Sequence, residues 1–388
     1  MAYDFETLVP EIDAPSPMRT LLNSEGIPAD RIDYGVAEMK FKLFPDIEKA
    51  IIETAKRNVL GYSAADDEYF AALKAWLKRR HGLDIEPEYV RQTYGIVVAI
   101  GICIRAFSEP GDNILIQTPV YHPFAINIKR NGRKVVESTL VLKDNRYEID
   151  FADFEEKAKT AKMFILCSPH NPIGRVWTKD ELAKMAEICL KHNVLIVADE
   201  IHNDIVYGAK HTIFPLAHKD IYDNCILCTA PSKTFNIPGL ITSNIIIKNE
   251  ALREKFTEER DRSIGHYTNP IGAAATTAAL KNGDAWVDEM CEYIKGNYEY
   301  LESYLRGQIP QANLIKMEAT YLAWLDLRFL GLSDEEFKKF IFENCKLYVN
   351  MGDMFGTGGS GFIRVNIGCP RRYVKEFVDI VKKAIEAR

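Results

Sequence analysis

The stretch MFILCSPHNPIGRVWTKDELAKMAEICLKHNVLIVADE (163–200) decides the fold. It opens on a buried-strand run at 163–167 and closes on a second at 194–198, which ends in Asp199 and Glu200. Between them, residues 179–192 carry apolar side chains at helical spacing. Thr178 with Glu181 three residues later spells a capping box. Further apolar runs at 113–117, 226–229 and 244–247 read as strands of the same kind. Short apolar strands spaced by helices imply an α/β fold, a mainly parallel sheet covered on both faces. Functional residues in such sheets gather at the carboxyl ends of strands.

This pattern holds from about residue 45 to 280 and predicts one large domain there. Beyond 280 the character changes. A long helical pattern over 284–305 precedes a strand-like run at 321–327 and a helix-like run at 334–344. Two short strands around 356–361 and a terminal helix over 371–387 follow, which together suggest a smaller α+β domain. Residues 1–44 show little periodicity and several prolines. They are expected to form an arm that packs on the small domain, completed by 281–388, or on a partner subunit.

With 388 residues, 47% hydrophobic and 27% charged, the chain has the composition of a soluble globular protein with a sizeable core. A net charge of −6 and no long basic run argue against nucleic acid or an anionic membrane as partner. The longest apolar stretches, such as 97–104, are too short to span a bilayer. The start, Met-Ala-Tyr-Asp-Phe-Glu-Thr, lacks the features of a secretory signal, and the eight cysteines have no framework spacing, so a cytoplasmic protein is expected.

Two motif-like patterns carry no chemistry. Cys225 and Cys228 form a C-x-x-C inside an apolar run. On a strand their odd separation points them to opposite faces, so no metal site is expected. Gly356, Gly358 and Gly361 spell G-x-G-x-x-G, but a strand-like segment follows where a dinucleotide fingerprint needs a helix.

Four polar residues stand out. Lys233 lies in Ala-Pro-Ser-Lys-Thr-Phe-Asn (230–236), and Asn171 in Ser-Pro-His-Asn-Pro (168–172). Asp199 ends its apolar run, and Arg364 lies in Phe-Ile-Arg-Val-Asn (362–366). Singly, these are a loop lysine, a turn, a helix N-cap and a surface ion pair. Together they supply an amine, an amide, an acid that is costly to bury unpaired, and a guanidinium able to grip a carboxylate with two bonds. That set matches the needs of an amino-acid enzyme using pyridoxal phosphate. Tyr121, in Thr-Pro-Val-Tyr-His-Pro (118–123), is a candidate to stack on the ring. The run Tyr94-Gly95-Ile96-Val97 opens a helix on glycine, a site suited to phosphate.

In order and spacing, with separations of 28, 34 and 131 residues, Asn171, Asp199, Lys233 and Arg364 resemble the fold-type I, class I/II aminotransferase superfamily. Four longer strings are similar to its cystathionine β-lyase and cystalysin-type C–S lyase branch: 168–177, Asp-Glu-Ile-His (199–202), 230–239 and Gly-Phe-Ile-Arg-Val-Asn (361–366). The resemblance covers nearly the whole chain. It implies the pyridoxal-phosphate-dependent transferase fold, with a seven-stranded sheet in the large domain.

It further implies that Lys233 holds the cofactor, Asp199 pairs with the pyridine nitrogen, Asn171 and His202 contact the ring oxygen, and Tyr121 stacks. Gly95, Ile96, Val97 and Ser232 would cradle the phosphate. Tyr62 would reach the site of the neighbouring subunit in a homodimer, and Arg364, Val36 and His122 would meet the substrate. The activity implied is a C–S β-lyase that yields pyruvate and ammonia from a sulfur amino acid. An aminotransferase is the alternative, and a regulatory protein that keeps the fold is a third. Ile241 stands where many aminotransferases have a phosphate arginine. Glu38, Lys40 and His122 also depart from the usual pattern near the substrate.

Overall fold

The computed structural model describes residues 2–7, 33–57 and 59–388, so most of the expected arm, residues 8–32, lies outside the described residues. Helices α1 (Pro45–Ala55) and α2 (Asp67–His81) precede β1 (Val90–Thr93), which feeds α3 (Ile96–Phe107). Then come β2 (Asn113–Thr118), α4 (Pro123–Arg130) and β3 (Lys134–Thr139), followed by a ribbon of β4 (Val141–Lys143) and β5 (Arg146–Glu148) and by α5 (Phe151–Ala158). The deciding stretch forms β6 (Ala161–Cys167), α6 (Lys179–Lys191) and β7 (Leu195–Asp199). Beyond it lie β8 (Cys225–Thr229), the four-residue α7 (Pro231–Thr234), β9 (Ser243–Ile246), α8 (Glu250–Ser263) and α9 (Pro270–Asn282).

Seven strands make one sheet in the order β1-β9-β8-β7-β6-β2-β3. The pairs from β8 through β3 are parallel. β9 runs antiparallel to both β8 and β1, so one strand is reversed against six. The cause is local: residues 230–242 hold only α7 and a 3-10 turn, too little for the crossover helix that a parallel return requires.

Side chains alternate between two cores. Leu115, Phe164, Leu166, Ile196 and Leu227 face one, while Ile114, Ile116, Met163, Ile165 and Val197 face the other. Cys225 and Cys228 fall on opposite faces in the same way, and all eight cysteines are free and buried. The capping box of α6 forms as spelled: Glu181 N donates to Thr178 Oγ1 (3.2 Å), and Thr178 N donates to Glu181 Oε2 (2.7 Å).

After α10 (Asp284–Gln308) comes a second, antiparallel sheet in the order β10-β11-β13-β12. Its strands are β10 (Asn313–Leu314), β11 (Leu322–Asp326), β12 (Asn350–Met351) and β13 (Phe362–Asn366), with α11 (Asp334–Lys339) between and α12 (Arg371–Glu386) after. The glycines at 356, 358 and 361 all take positive φ and lead into β13, a turn into a strand. Trp324 stacks on Phe362 with centroids 5.1 Å apart, and Trp324 stands opposite Arg364 across β11 and β13.

The segment before β11 stitches the two sheets together. Glu318 N and Ala319 N both donate to Gly174 O (2.8 and 3.1 Å), and Thr320 N donates to Ile205 O (2.8 Å). Gly174 has φ +65°, and a Cβ there would meet Met317 at 3.1 Å and Ala319 O at 3.3 Å, so glycine fits this crossing. Among the described residues, no helix is long and apolar enough to cross a membrane.

Buried Asn297 on α10 donates to Ile367 O (2.9 Å) and Cys369 O (2.8 Å) and accepts from Arg371 Nε (3.1 Å). Asn297→Ala strands both carbonyls, so stability should fall by roughly 2–4 kcal/mol. Urea titration should show a lower midpoint at unchanged slope.

Candidate active site

The parallel strands deliver the predicted residues to one edge. Gly95 follows β1, Tyr121 follows β2, Asn171 follows β6, Asp199 ends β7, and Lys233 lies on α7 just after β8. They line a cavity of about 180 Å³ together with Ile96, Val97, His202 and Ser232. Ala37, Cys167, Ile201, Pro238, Ile241 and Thr242 complete the lining, and no sequence motif marks them for it.

Burial sets the charges here. It draws the Lys233 amine down to about 8, opposed by Glu38, reinforced by Arg364 and opposed again by Asp199. The amine donates to Ala37 O at 2.7 Å. Burial pushes the Asp199 carboxyl up to about 7, against the single N–H bond from Ile201 (3.1 Å), while Glu200 adds to the rise. His202 is held neutral, down to about 3, by burial and by the fields of Lys233 and Arg364. Its Nδ1 is buried with no hydrogen-bond partner among the described residues.

Arg364 is buried on β13, its guanidinium 5.1 Å over the Phe355 ring. It donates to Asn171 Oδ1 (2.9 Å), to Gly35 O (2.9 Å) and to Asn350 Oδ1, while its Nε has no partner among the described residues. Because Asn171 spends its oxygen on Arg364, its NH₂ is the group left to donate into the cavity. Tyr121 is tied to the same turn, its N donating to Asn171 O at 3.0 Å.

At the other end, α3 starts on Gly95 at φ +101°, with no side-chain cap and no acidic residue in its first turn. Its free N–H groups and positive dipole end suit an anion, with Ser232 and Thr242 beside them. Ile241 lines this end at φ +42°, half-exposed.

Four predicted residues do not line the cavity: Arg364, which is bonded to the lining through Asn171, and His122, Val36 and Tyr62. His122 packs behind Tyr121 and edge-on to Phe355, with centroids 5.7 Å apart in both contacts. Val36 sits one residue from Ala37, and its carbonyl accepts from Asn366 Nδ2 (2.8 Å). Tyr62 is 89% exposed and stacks on Tyr267 at 4.6 Å.

The residues that hold segment 35–39 over the cavity were missed. Asn366 Nδ2 also reaches Glu38 O (2.7 Å), Tyr321 OH reaches Ala37 O (2.9 Å), and Asn236 exchanges two bonds with Met39 (2.7 and 2.8 Å). A signal existed for Asn366: it lies two residues after Arg364 on one strand and so shares its face.

Comparison with known proteins fits this geometry. The family described as aminotransferase class I and II matches residues 29–381. The chain belongs to that family. Among its relatives, the cystathionine beta-lyase PatB of Bacillus subtilis (strain 168) is 38% identical, over 92% of this chain and 93% of the relative. Protein MalY of Escherichia coli (strain K12) is 33% identical over 92% of this chain and 93% of MalY. Cystalysin from Treponema denticola, a crystal structure that contains a pyridoxal 5'-phosphate cofactor, superposes with a TM-score of 0.97 at 36% identity, covering 100% of both chains.

The buried carboxyl makes a testable statement about stability. Asp199 binds its proton more tightly folded than unfolded, so stability should fall as pH rises from about 4 to about 7 and stay low above. In the cofactor-free chain, Asp199→Asn should therefore stabilise at pH 8, by roughly 2–4 kcal/mol, and change little at pH 4. Denaturant unfolding at both pH values measures the difference.

Proposed function

We propose that this chain is a pyridoxal-phosphate-dependent C–S β-lyase that eliminates a thiol from a sulfur amino acid, leaving pyruvate and ammonia. The carrying observation is that the Lys233 amine and the Asp199 carboxyl line one cavity, with the Arg364 guanidinium bonded to Asn171 of the same lining. The names of its relatives, cystathionine beta-lyase and cystalysin, support the lyase over an aminotransferase.

The cavity suits the cofactor. Asp199, with one N–H bond, would hold a ring N–H, the uncapped start of α3 would take a phosphate, and His202, whose Nδ1 has no partner among the described residues, and the Asn171 NH₂ would serve a ring oxygen. Bound pyridoxal phosphate supplies an aldehyde carbon for the lysine and a cationic ring that takes up the electron pair left at the substrate's Cα. The protein's part is to hold and to move protons. Arg364 binds the α-carboxylate with its fork, exchanging Asn171 and Gly35 O for the substrate. Lys233, its amine eased toward neutrality by burial, removes the Cα proton. Asp199, ionised opposite a positive ring, keeps the proton on the ring nitrogen. The Cβ–S bond then breaks, the thiolate takes a proton, and water completes the conversion to pyruvate and ammonia.

The reading includes a homodimer in which Tyr62 completes the partner's site. Tyr62 is exposed beside Val59, Leu60 and Tyr267, an apolar cluster of the kind that subunits cover. Tyr267 O accepts from the hydroxyl of Tyr94, the neighbour of Gly95. We place the large domain at 45–280 and the small one at 281–388 with the arm 1–44. The free, buried cysteines suit a reducing cytoplasm.

Cofactor-loaded protein should release thiol and pyruvate in equal amounts from cystathionine or S-alkyl-cysteines. Transfer of the amino group to a 2-oxo acid with no free thiol would replace this reading with an aminotransferase. Arg364→Ala should raise KM for the amino acid about 100-fold, a loss of about 2.7 kcal/mol, with cofactor affinity nearly unchanged.

A further inference from the structure

Behind the cavity wall lie two buried carboxylates to which the mechanism gives no role. Glu200 is closed off, bonded to His211 Nε2 (2.6 Å) and Phe214 N (2.6 Å). Asp204 is different, because it ties α2 to two segments that carry site residues. It sits on the turn that follows Asp199 at the end of β7 and that also carries His202. Its Oδ2 accepts from Thr234 Oγ1 at 3.0 Å, one residue after Lys233. Its Oδ1 accepts from Trp76 Nε1 (3.1 Å) and pairs with His81 Nε2 (2.8 Å), both on α2.

Helix α7, with four residues and no side-chain cap, is too short to fix its own direction. Its orientation depends on what grips its end. Thr234 is fully buried, and the following Phe235 ring packs on Trp76 and Trp286, with centroids 5.7 Å away in each case. Trp76 thus both packs under α7 and donates to Asp204. Burial pushes the Asp204 carboxyl up, but the bond and charge of His81, the field of Arg80 and the Thr234 hydroxyl outweigh it. The net shift is downward, and the group stays ionised.

We propose that Asp204 is a positioning residue that, through Thr234, aims the Lys233 amine into the cavity on the same frame that carries Asp199. It lies outside the cavity lining and acts through its neighbours. The proposal rests on the reading of Lys233 as the reactive amine, but not on the breaking of a C–S bond.

The test uses Thr234→Val, which deletes the hydroxyl at nearly constant volume, Thr234→Ser, which restores it, and Asp204→Asn. In the cofactor-free chain, limiting acetic anhydride across pH, with Lys233 acetylation followed by mass spectrometry, reads the ionisation of the amine directly. Wild type and Thr234→Ser should share a midpoint near 8. Thr234→Val and Asp204→Asn should move at least one unit up, toward the ordinary lysine value of about 10.4, as the amine swings to water. In the loaded protein, kcat for Thr234→Val should drop at least tenfold with KM changed less than twofold.

A Thr234→Val midpoint at the wild-type value overturns the proposal, even if Tm falls, since a purely structural bond would behave that way. Should Asp204→Asn not fold, the Thr234 pair decides alone. Loaded wild type that yields no thiol would defeat the lyase reading and leave the acetylation result to judge Asp204.

Discussion

The parallel pairing of β6, β7 and β8 holds this site together. Met163 stands opposite Leu195, and Ile196 opposite Cys225, so three chain segments end at the same edge of the sheet. Each then releases one polar residue: Asn171 from a turn, Asp199 from the strand itself, Lys233 from α7. A slip of one residue in either pair would turn the alternating side chains over and put apolar groups where polar ones stand. The two cores on the two faces of the sheet, each made of alternate residues of the same strands, resist such a slip.

Having brought these groups out of water, the fold leaves them incompletely satisfied. Asp199 has one N–H bond, while His202 Nδ1 and Arg364 Nε have no partner among the described residues. Desolvation drives Lys233 and Asp199 toward each other on the pH scale, to about 8 and about 7. That arrangement costs stability and keeps both groups able to exchange protons near neutrality. The cost is borne by well-satisfied surroundings: segment 35–39 is bonded along its length by Arg364, Asn366, Lys233, Tyr321 and Asn236, and Asp204 binds three donors behind the wall.

Some features were legible because they repeat or because local chemistry forces them. The apolar runs, the Thr178–Glu181 capping box and the opposite-face placement of Cys225 and Cys228 depend only on near neighbours in the chain, and they formed as read. The reversal of β9 was harder to see. Its sequence looks like that of its parallel neighbours, and only the short connection after β8 gives it away. Tyr62 illustrates the limit of reading one chain: nothing local says what an exposed tyrosine beside other apolar groups is for, and resemblance alone suggested a partner's site.

By itself the sequence determined the elements and the order in which Asn171, Asp199, Lys233 and Arg364 are laid down, because periodicity and capping act over a few residues. Tertiary structure alone decided which atoms meet. Ala37 O under Lys233, Asn171 Oδ1 on Arg364 and Thr234 on Asp204 join residues 196, 193 and 30 positions apart. The pKa values of Lys233 and Asp199 belong to the same class. They arise from desolvation and from charges brought close by folding, and neither exists until the cavity closes around them.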